Sequence, residues 1–524
     1  MLRWSQKLLL WIPLIAVSLC MLLPVGYLLF RSISAGSEAL DLIFRIQTFE
    51  ILANTAMLVV VVTSLSVLIA LPIGWLTVRT NVPCQQLWGV LTVLPLVIPS
   101  YVGGLVVIAA LGPRGLVQNI LSQVGVDRIP DIYGLPGAAL TITLVGFPYV
   151  LLTIRTALWS QDPSLEQSAR ILGKSAIGAF FTVTLPNLRP AIAAGALLIA
   201  LYTLSDFGAV SLLRFDSFTK IIYVAYESSI NRNIAAVLSL VLVACAFGLI
   251  FIESCTRGKS KYYRTTAVST KQLYKVNLGW WRWPSFVLCV LVVGASLVLP
   301  IGVLLYWLTQ GSGPDYKIAS VWKDSINSLY TSGLAAGVTS LVALLVVGLT
   351  LRNPGRISSL IERITFVGFA LPSLVVGLSL VFFTARLVPF LYQTTVLFVA
   401  ALVILFLPQA IGSIRSSFLQ IPTRLEDAAR GLGYSQIRVL MRITLPMVIP
   451  GMIAGAAMVF LTSMKELPAA LMLSPIGFSN LPISIWSAAN EALFAQAALP
   501  ALLLIAVSTV PMIFLLIRQP KGMQ

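Results

Sequence analysis

The stretch LEQSARILGKSAIGAFFTVTLPNLRPAIAAG, residues 165–195, returns as LEDAARGLGYSQIRVLMRITLPMVIPGMIAG at residues 425–455, an offset of 260. The identities include Leu165/Leu425, Glu166/Glu426, Ala169/Ala429, Arg170/Arg430, Gly173/Gly433, Thr184/Thr444, Leu185/Leu445, Pro186/Pro446, Pro190/Pro450 and Gly195/Gly455. Glu166 and Arg170 are four residues apart, as are Glu426 and Arg430, so each pair can meet on one helix face. Leu165, Ala169 and Leu172 make a short apolar stripe beside that face. Gly173 then permits a sharp turn or helix end; a second helical stretch follows, and Thr-Leu-Pro marks the entry to the next span, because proline suits a first turn. The phrase therefore predicts a helix, a glycine turn and a second helix, made twice. The bland alternative is an amphipathic loop lying on a bilayer surface and inherited by duplication.

What surrounds the phrase is apolar. The 524 residues are 58% hydrophobic and 10% charged, with a mean hydropathy of +0.95, whereas soluble domains carry about 25% charged residues. Runs long enough to cross a bilayer, about 20 helical residues each, recur throughout. They predict an all-α polytopic membrane protein with spans near 8–30, 54–78, 87–111, 136–158, 189–213 and 233–253, and again near 285–308, 329–351, 364–386, 391–414, 448–474 and 497–517. The N-terminal apolar run exceeds the length of a signal-peptide core, so it is expected to be an uncleaved first span.

About twelve spans divide into two parallel six-helix repeats. The expected organisation is a first half over 1–253 with its polar loop at 162–190, a basic linker over 254–284, and a second half over 285–524 with its loop at 420–450. PSYVGGL (99–105) matches PSLVVGL (372–378), and the TSL at Thr63 is matched with that at Thr339. The net charge of +17 fits lysines and arginines retained in cytoplasmic loops and calls for no nucleic acid. Their bias predicts both termini and the linker on the cytoplasmic side of the membrane. Trp280, Trp281 and Trp283 suit the lipid interface.

Enzyme chemistry finds little to work with. The chain has no histidine and five dispersed cysteines, so neither a disulfide framework, nor a zinc site, nor any other stable metal site is expected. Gly173-Lys174-Ser175 and Gly258-Lys259-Ser260 lack the earlier glycine that a phosphate loop needs; Ser168 and Glu253 stand there instead. ATP chemistry is therefore expected on a partner, with no cofactor in this chain.

The doubled phrase resembles the Glu-Ala-Ala…Gly loop (EAA motif) of permease subunits in binding-protein-dependent ABC importers. The second copy carries it as Glu426-Asp427-Ala428-Ala429 with Gly433; the first departs as Glu166-Gln167-Ser168-Ala169 but keeps Gly173. The resemblance implies that Glu166, Ala169, Arg170 and Gly173, and Glu426, Ala428, Ala429, Arg430 and Gly433, form coupling helices for two cytoplasmic ATPase subunits, which bind ATP and Mg. One chain would then supply both membrane halves of a type I importer.

Cargo is read from the fifth spans, where Asp206 and Glu466 stand at matching positions. Intramembrane acids usually face a cavity or a partner, although Lys465 adjoins Glu466 and either acid could simply pin helices. Thr203, Ser205 and Ser463 add oxygen atoms, giving an expected pathway of Thr203, Ser205, Asp206, Ser463 and Glu466. Such a lining suits a hard cation better than a soft metal, and equally a polar organic solute. TLSDFGAVSLLRFDSFTKIIY (203–223) and MKELPAALML (464–473) are similar to ferric iron importer permeases, which implies Fe(III) as substrate and a periplasmic iron-binding protein as partner. Thiamine, sulfate and molybdate importers share the coupling phrase and stay open. Arg214, Asp216, Lys220 and Glu227, with Arg114, Asp127, Arg128 and Asp131, are candidate docking charges on outer loops. An ion-coupled secondary transporter is the competing class.

Overall fold

The computed structural model describes residues 4–517 except 35, 114, 124, 126–129, 229–232, 257–274, 311–317 and 354. Arg114, Asp127, Arg128, Gly258-Lys259-Ser260 and most of the basic linker thus lie outside the described residues. Every named element is helical. Eleven helices among the described residues are long and apolar enough to cross a membrane, and a twelfth candidate is the bent pair Arg356–Phe369 plus Ser373–Leu387.

The helices that surround the repeated phrases are interrupted where the sequence places proline and acid. The expected span at 87–111 is a short helix Gln85–Leu91, a 3₁₀ turn Leu94–Val97 and a helix Ser100–Leu111. Its counterpart at 364–386 bends by 105° just before Ser373. Pro95, Pro99 and Pro372 lack the N–H that a continuous helix would use. The expected fifth spans, 189–213 and 448–474, stop early, at Ser205 and Met464, and short helices Gly208–Leu212 and Pro468–Leu473 follow.

The two halves are interlocked, which the repeat pattern does not announce. Trp4–Ser34, the first helix, packs on Arg356–Thr365 and Ser373–Leu387 of the second half. The Tyr27 hydroxyl donates to Phe382 O at 3.2 Å, its ring meets Phe383 edge-on at 5.8 Å, and the Arg31 guanidinium lies 4.0 Å from the Phe382 ring centre. Reciprocally, Arg282–Val293 and Leu299–Gln310 pack on the first half, with Phe286 against Trp88 and Cys289 and Val293 beside Val82. After the linker, Val276 pairs with Thr80, and Lys275 Nζ donates to Gln85 Oε1 at 2.7 Å. Trp280, Trp281 and Trp283 are exposed.

Small residues set the packing within each half. A Cβ on Gly195 would lie 2.9 Å from Val150 Cα, and one on Gly455 would lie 3.2 Å from Ala410 Cα. The matched glycines therefore let the fourth and fifth long helices of each half approach backbone to backbone.

Candidate functional site

Two features stand out: a pair of projecting helices on one side, and a cavity between the halves. The projecting helices are Pro163–Ile171 and Thr423–Gly431. Each ends in a left-handed glycine, Gly173 at φ +88° and Gly433 at φ +84°, as expected of a glycine turn. Ser175 of the Gly-Lys-Ser tripeptide accepts from Gly178 N at 3.1 Å and so caps the next helix. Thr-Leu-Pro, expected to mark the entry to the next span, lies inside that helix and not at a break in it. The helix passes through Phe180–Thr184 and Leu440–Thr444 as one π turn in each half and runs on into the membrane. The wider turn carries the chain into Pro186 and Pro446 without a break.

The matched acids and alanines of the projecting helices face inward. Glu166, Ala169 and Ala429 are buried, and Glu426 nearly so. Glu426 accepts from Arg352 at 2.7 Å and from Thr444 Oγ1 at 2.6 Å, and Arg352 also donates to Thr444 at 3.1 Å. Arg430 stands 3.4 Å from Glu426, the predicted i, i+4 partner. In the first half Thr184 donates to Glu166 at 3.3 Å, and Arg79, close in charge to Glu166, donates to Leu158 O and Gln161 O. Burial alone would raise the pKa of Glu426, but the hydrogen bonds from Thr444 and Arg352 and the charges of Arg352 and Arg430 hold it below the ordinary value. Each bracket thus ties a projecting helix to the threonine of Thr-Leu-Pro, and Glu426 also ties it by an ion pair to the end of the second long helix, where Arg79 of the first half acts on Glu166 by charge alone.

Arg79 and Arg352 were missed in the sequence. LTVR (76–79) and LTLR (349–352) differ in number by 273, as do the two Pro-Ser phrases, not by 260. In that register Thr339 matches Ser66, so the expected match of Thr339 with Thr63 is three residues out. The apolar stripe also divides. Ala169 turns inward, while Leu165 is exposed and Ile171, Leu172 and Leu432 project at 86%, 84% and 80% exposure. Ala428 and Arg430 are likewise exposed.

The cavity, about 230 Å³, lies between the halves and is lined from both. Ser205, Asp206 and Glu466 line it; Thr203 and Ser463 do not. Thr203 donates to Ile199 O within its own helix, and Ser463 is buried beside the wall. Both acids cap the short helices beyond the breaks. Asp206 Oδ1 accepts from Ala209 N at 3.0 Å, and Glu466 Oε1 from Ala469 N at 3.3 Å. Ser100 adjoins Asp206 and Ser373 adjoins Glu466, so the Pro-Ser phrase and the acid of each half meet at one place. Lys465 Nζ donates to Leu96 O of the other half at 2.8 Å, using a carbonyl left free by the 3₁₀ turn. Lys465 thus pins the halves together, whereas each acid, for which pinning was the alternative, spends one oxygen on a cap within its own half. On the side away from the projecting helices, the Phe207 ring meets Trp486 of the second half at 5.0 Å and Tyr223 at 4.7 Å.

Residues 66–257 and 340–521 each match the family described as binding-protein-dependent transport system inner membrane component. The chain belongs to this family. It is similar to the Fe(3+)-transport system permease protein FbpB 2 of Haemophilus influenzae, 33% identical over 96% of each chain. It is also similar to the molybdenum transport system permease protein ModB of Escherichia coli, 37% identical over 28% of this chain and 66% of that one. The sulfate transport system permease protein CysW of E. coli is 26% identical over 40% of this chain and 72% of its own. The chain is therefore a multi-pass permease of a binding-protein-dependent ABC importer, with the family's unit present twice.

Among the charges expected on outer loops, Asp216 pairs with Lys220 at 2.7 Å, Arg214 stacks 5.1 Å over Tyr133, and Asp131 accepts from Tyr133 N at 3.1 Å. Glu227 adjoins Tyr223. Among the described residues no group of three or more His, Cys, Asp or Glu could hold a metal.

Proposed function

We propose that this chain imports ferric iron, handed over by a periplasmic binding protein, by alternating access driven by two cytoplasmic ATPase subunits. The observation that carries the cargo is the likeness over 96% of both chains to an Fe(3+) permease, whereas the molybdenum and sulfate relatives cover less than half of this chain. The cavity agrees in charge, because two carboxylates face one ammonium that already serves a carbonyl. An oxyanion would meet repulsion there; a hard cation would not.

Each ATPase would seat one projecting helix. The face open to it carries Ile171 and Leu172, or Ala428, Arg430 and Leu432, while Glu166, Ala169, Glu426 and Ala429 hold the helix to the membrane part. Gly173 and Gly433 fix the turn that presents those tips. ATP binding would draw the two helices together, part the Phe207–Trp486 contact and open the cavity outward; hydrolysis would restore the state seen here. The shift must come from the ATPases' differential affinity for the two states. With the projecting helices cytoplasmic, both termini are cytoplasmic as well. ATP and Mg would sit on the partners, and Asp216, Lys220 and Glu227 on the surface that receives the binding protein.

The test is radioactive Fe(III) uptake into proteoliposomes holding this chain with a cognate ATPase and binding protein. ATP-dependent uptake that excess molybdate and sulfate leave unchanged is expected. Uptake of either oxyanion in place of iron would overturn the cargo assignment.

A further inference from the structure

The duplicated halves give the cavity two walls with matching positions but different chemistry. Tyr149 is matched by Gln409, Tyr202 by Thr462 and Ser205 by Lys465, all at the 260 offset and all on the cavity wall. Tyr149 and Gln409 each follow the proline inside their helix, Pro148 and Pro408, which confirms the register. Tyr101 follows Ser100, and its counterpart Leu374 follows Ser373. Three phenols therefore line the first-half wall and none the second.

Tyr101 is the telling residue. It is 3% exposed, lines the cavity, and its hydroxyl has no hydrogen-bond partner. Buried polar groups nearly always have one. Its position is built in: a Cβ on Gly208 would lie 2.6 Å from Tyr101 Cβ, so glycine there lets the tyrosine come up against the helix break. Glu466 lies within electrostatic reach of the Tyr101 phenol. The Tyr149 and Tyr202 rings are 5.3 Å apart, and Tyr202 lies within reach of Asp206, Ser100 and Tyr101.

We propose that Tyr101, Tyr149 and Tyr202, with Asp206, form a transient binding face for a hard trivalent cation on the first half only. This rests on the reading of the cargo as ferric iron. Phenol and carboxylate oxygens are hard donors, and no sulfur or imidazole lines the cavity. A phenol that coordinates the ion gives up its proton; Glu466, within reach of Tyr101, can hold one and the others leave to water in the cavity, so that Asp206 stays ionised as a ligand. Donors from one wall leave the coordination shell open, and Lys465 on the other wall prevents a closed cage. That suits passage, which requires binding weak enough to be left again.

The experiment uses the whole importer, reconstituted with its ATPases and binding protein. In Tyr101→Phe/Tyr149→Phe/Tyr202→Phe, Fe(III) uptake should fall at least tenfold while ATP hydrolysis stimulated by the binding protein stays within twofold of the parent. Parental uptake in that variant overturns the proposal. Should the triple variant fail to assemble, the parent complex without binding protein is given Fe(III) as its nitrilotriacetate. A visible phenolate-to-iron charge-transfer band is expected, lost in Tyr101→Phe or Tyr202→Phe; its absence from the parent overturns the proposal. A parent complex that imports molybdate or sulfate but no iron would instead sink the cargo assignment.

Discussion

At the scale of single residues, the acids of the repeat do structural work before any transport. Asp206 caps a short helix with one oxygen, and asparagine caps about as well as aspartate, whereas alanine forfeits about 1 kcal/mol. Asp206→Asn should therefore keep thermal stability in detergent near the parent value while cutting Fe(III) uptake; Asp206→Ala should lose both. Equal stability of the two variants would deny the cap. Glu426 is the other case. It is held by Arg352, Thr444 and Arg430, so Glu426→Lys leaves partly buried donors unpaired, at a cost of about 1–3 kcal/mol. The loss should appear first as faster amide exchange over residues 423–433, and only through that as weaker ATPase association. Because its pKa is lowered, the bracket's contribution is complete above the ordinary carboxyl value of 4.5 and is lost as pH falls further. Protection of that segment should thus be flat from neutral pH down to about pH 5. A decline centred near neutrality would contradict the assignment.

At the scale of elements, the glycine turns are the clearest link from sequence to mechanism. Gly173 and Gly433 have positive φ and open space where a Cβ would go, so the cost of alanine is conformational, about 1 kcal/mol or more. Gly173→Ala and Gly433→Ala should each weaken ATPase binding severalfold and the pair more than either, measured by copurification; an unchanged double variant would refute the role. These turns were legible because glycine's freedom is local. The π turns were not: Thr-Leu-Pro reads as the entry to a new span, and only tertiary packing shows that the helix continues. The breaks at Asp206 and Glu466 were equally hidden, since the apolar run continues across them. The brackets escaped for a different reason, as Arg79 and Arg352 follow a register shifted from that of their acids.

At the scale of the whole molecule, hydropathy revealed the number of crossings and the duplication revealed two like units, but neither could say how the units embrace. Contacts such as Tyr27 with Phe383 join residues with no shared motif. In a cysteine-free background Tyr27→Cys/Phe383→Cys should be bridged by a short bis-maleimide, and the bridge should still join the halves after proteolytic cleavage of the linker. Separate fragments after cleavage would contradict the interlocked arrangement. Interlocking also explains how two tips could act on one cavity: each half carries an arm of the other, so a movement of the projecting helices is shared by both walls.

Whether an external motor drives the bundle is decided most directly by Fe(III) uptake in proteoliposomes containing this chain with or without its ATPase. Uptake should require the ATPase and ATP and should survive an ionophore that collapses every ion gradient. Uptake by the chain alone, or its abolition by the ionophore with ATP intact, would contradict the account.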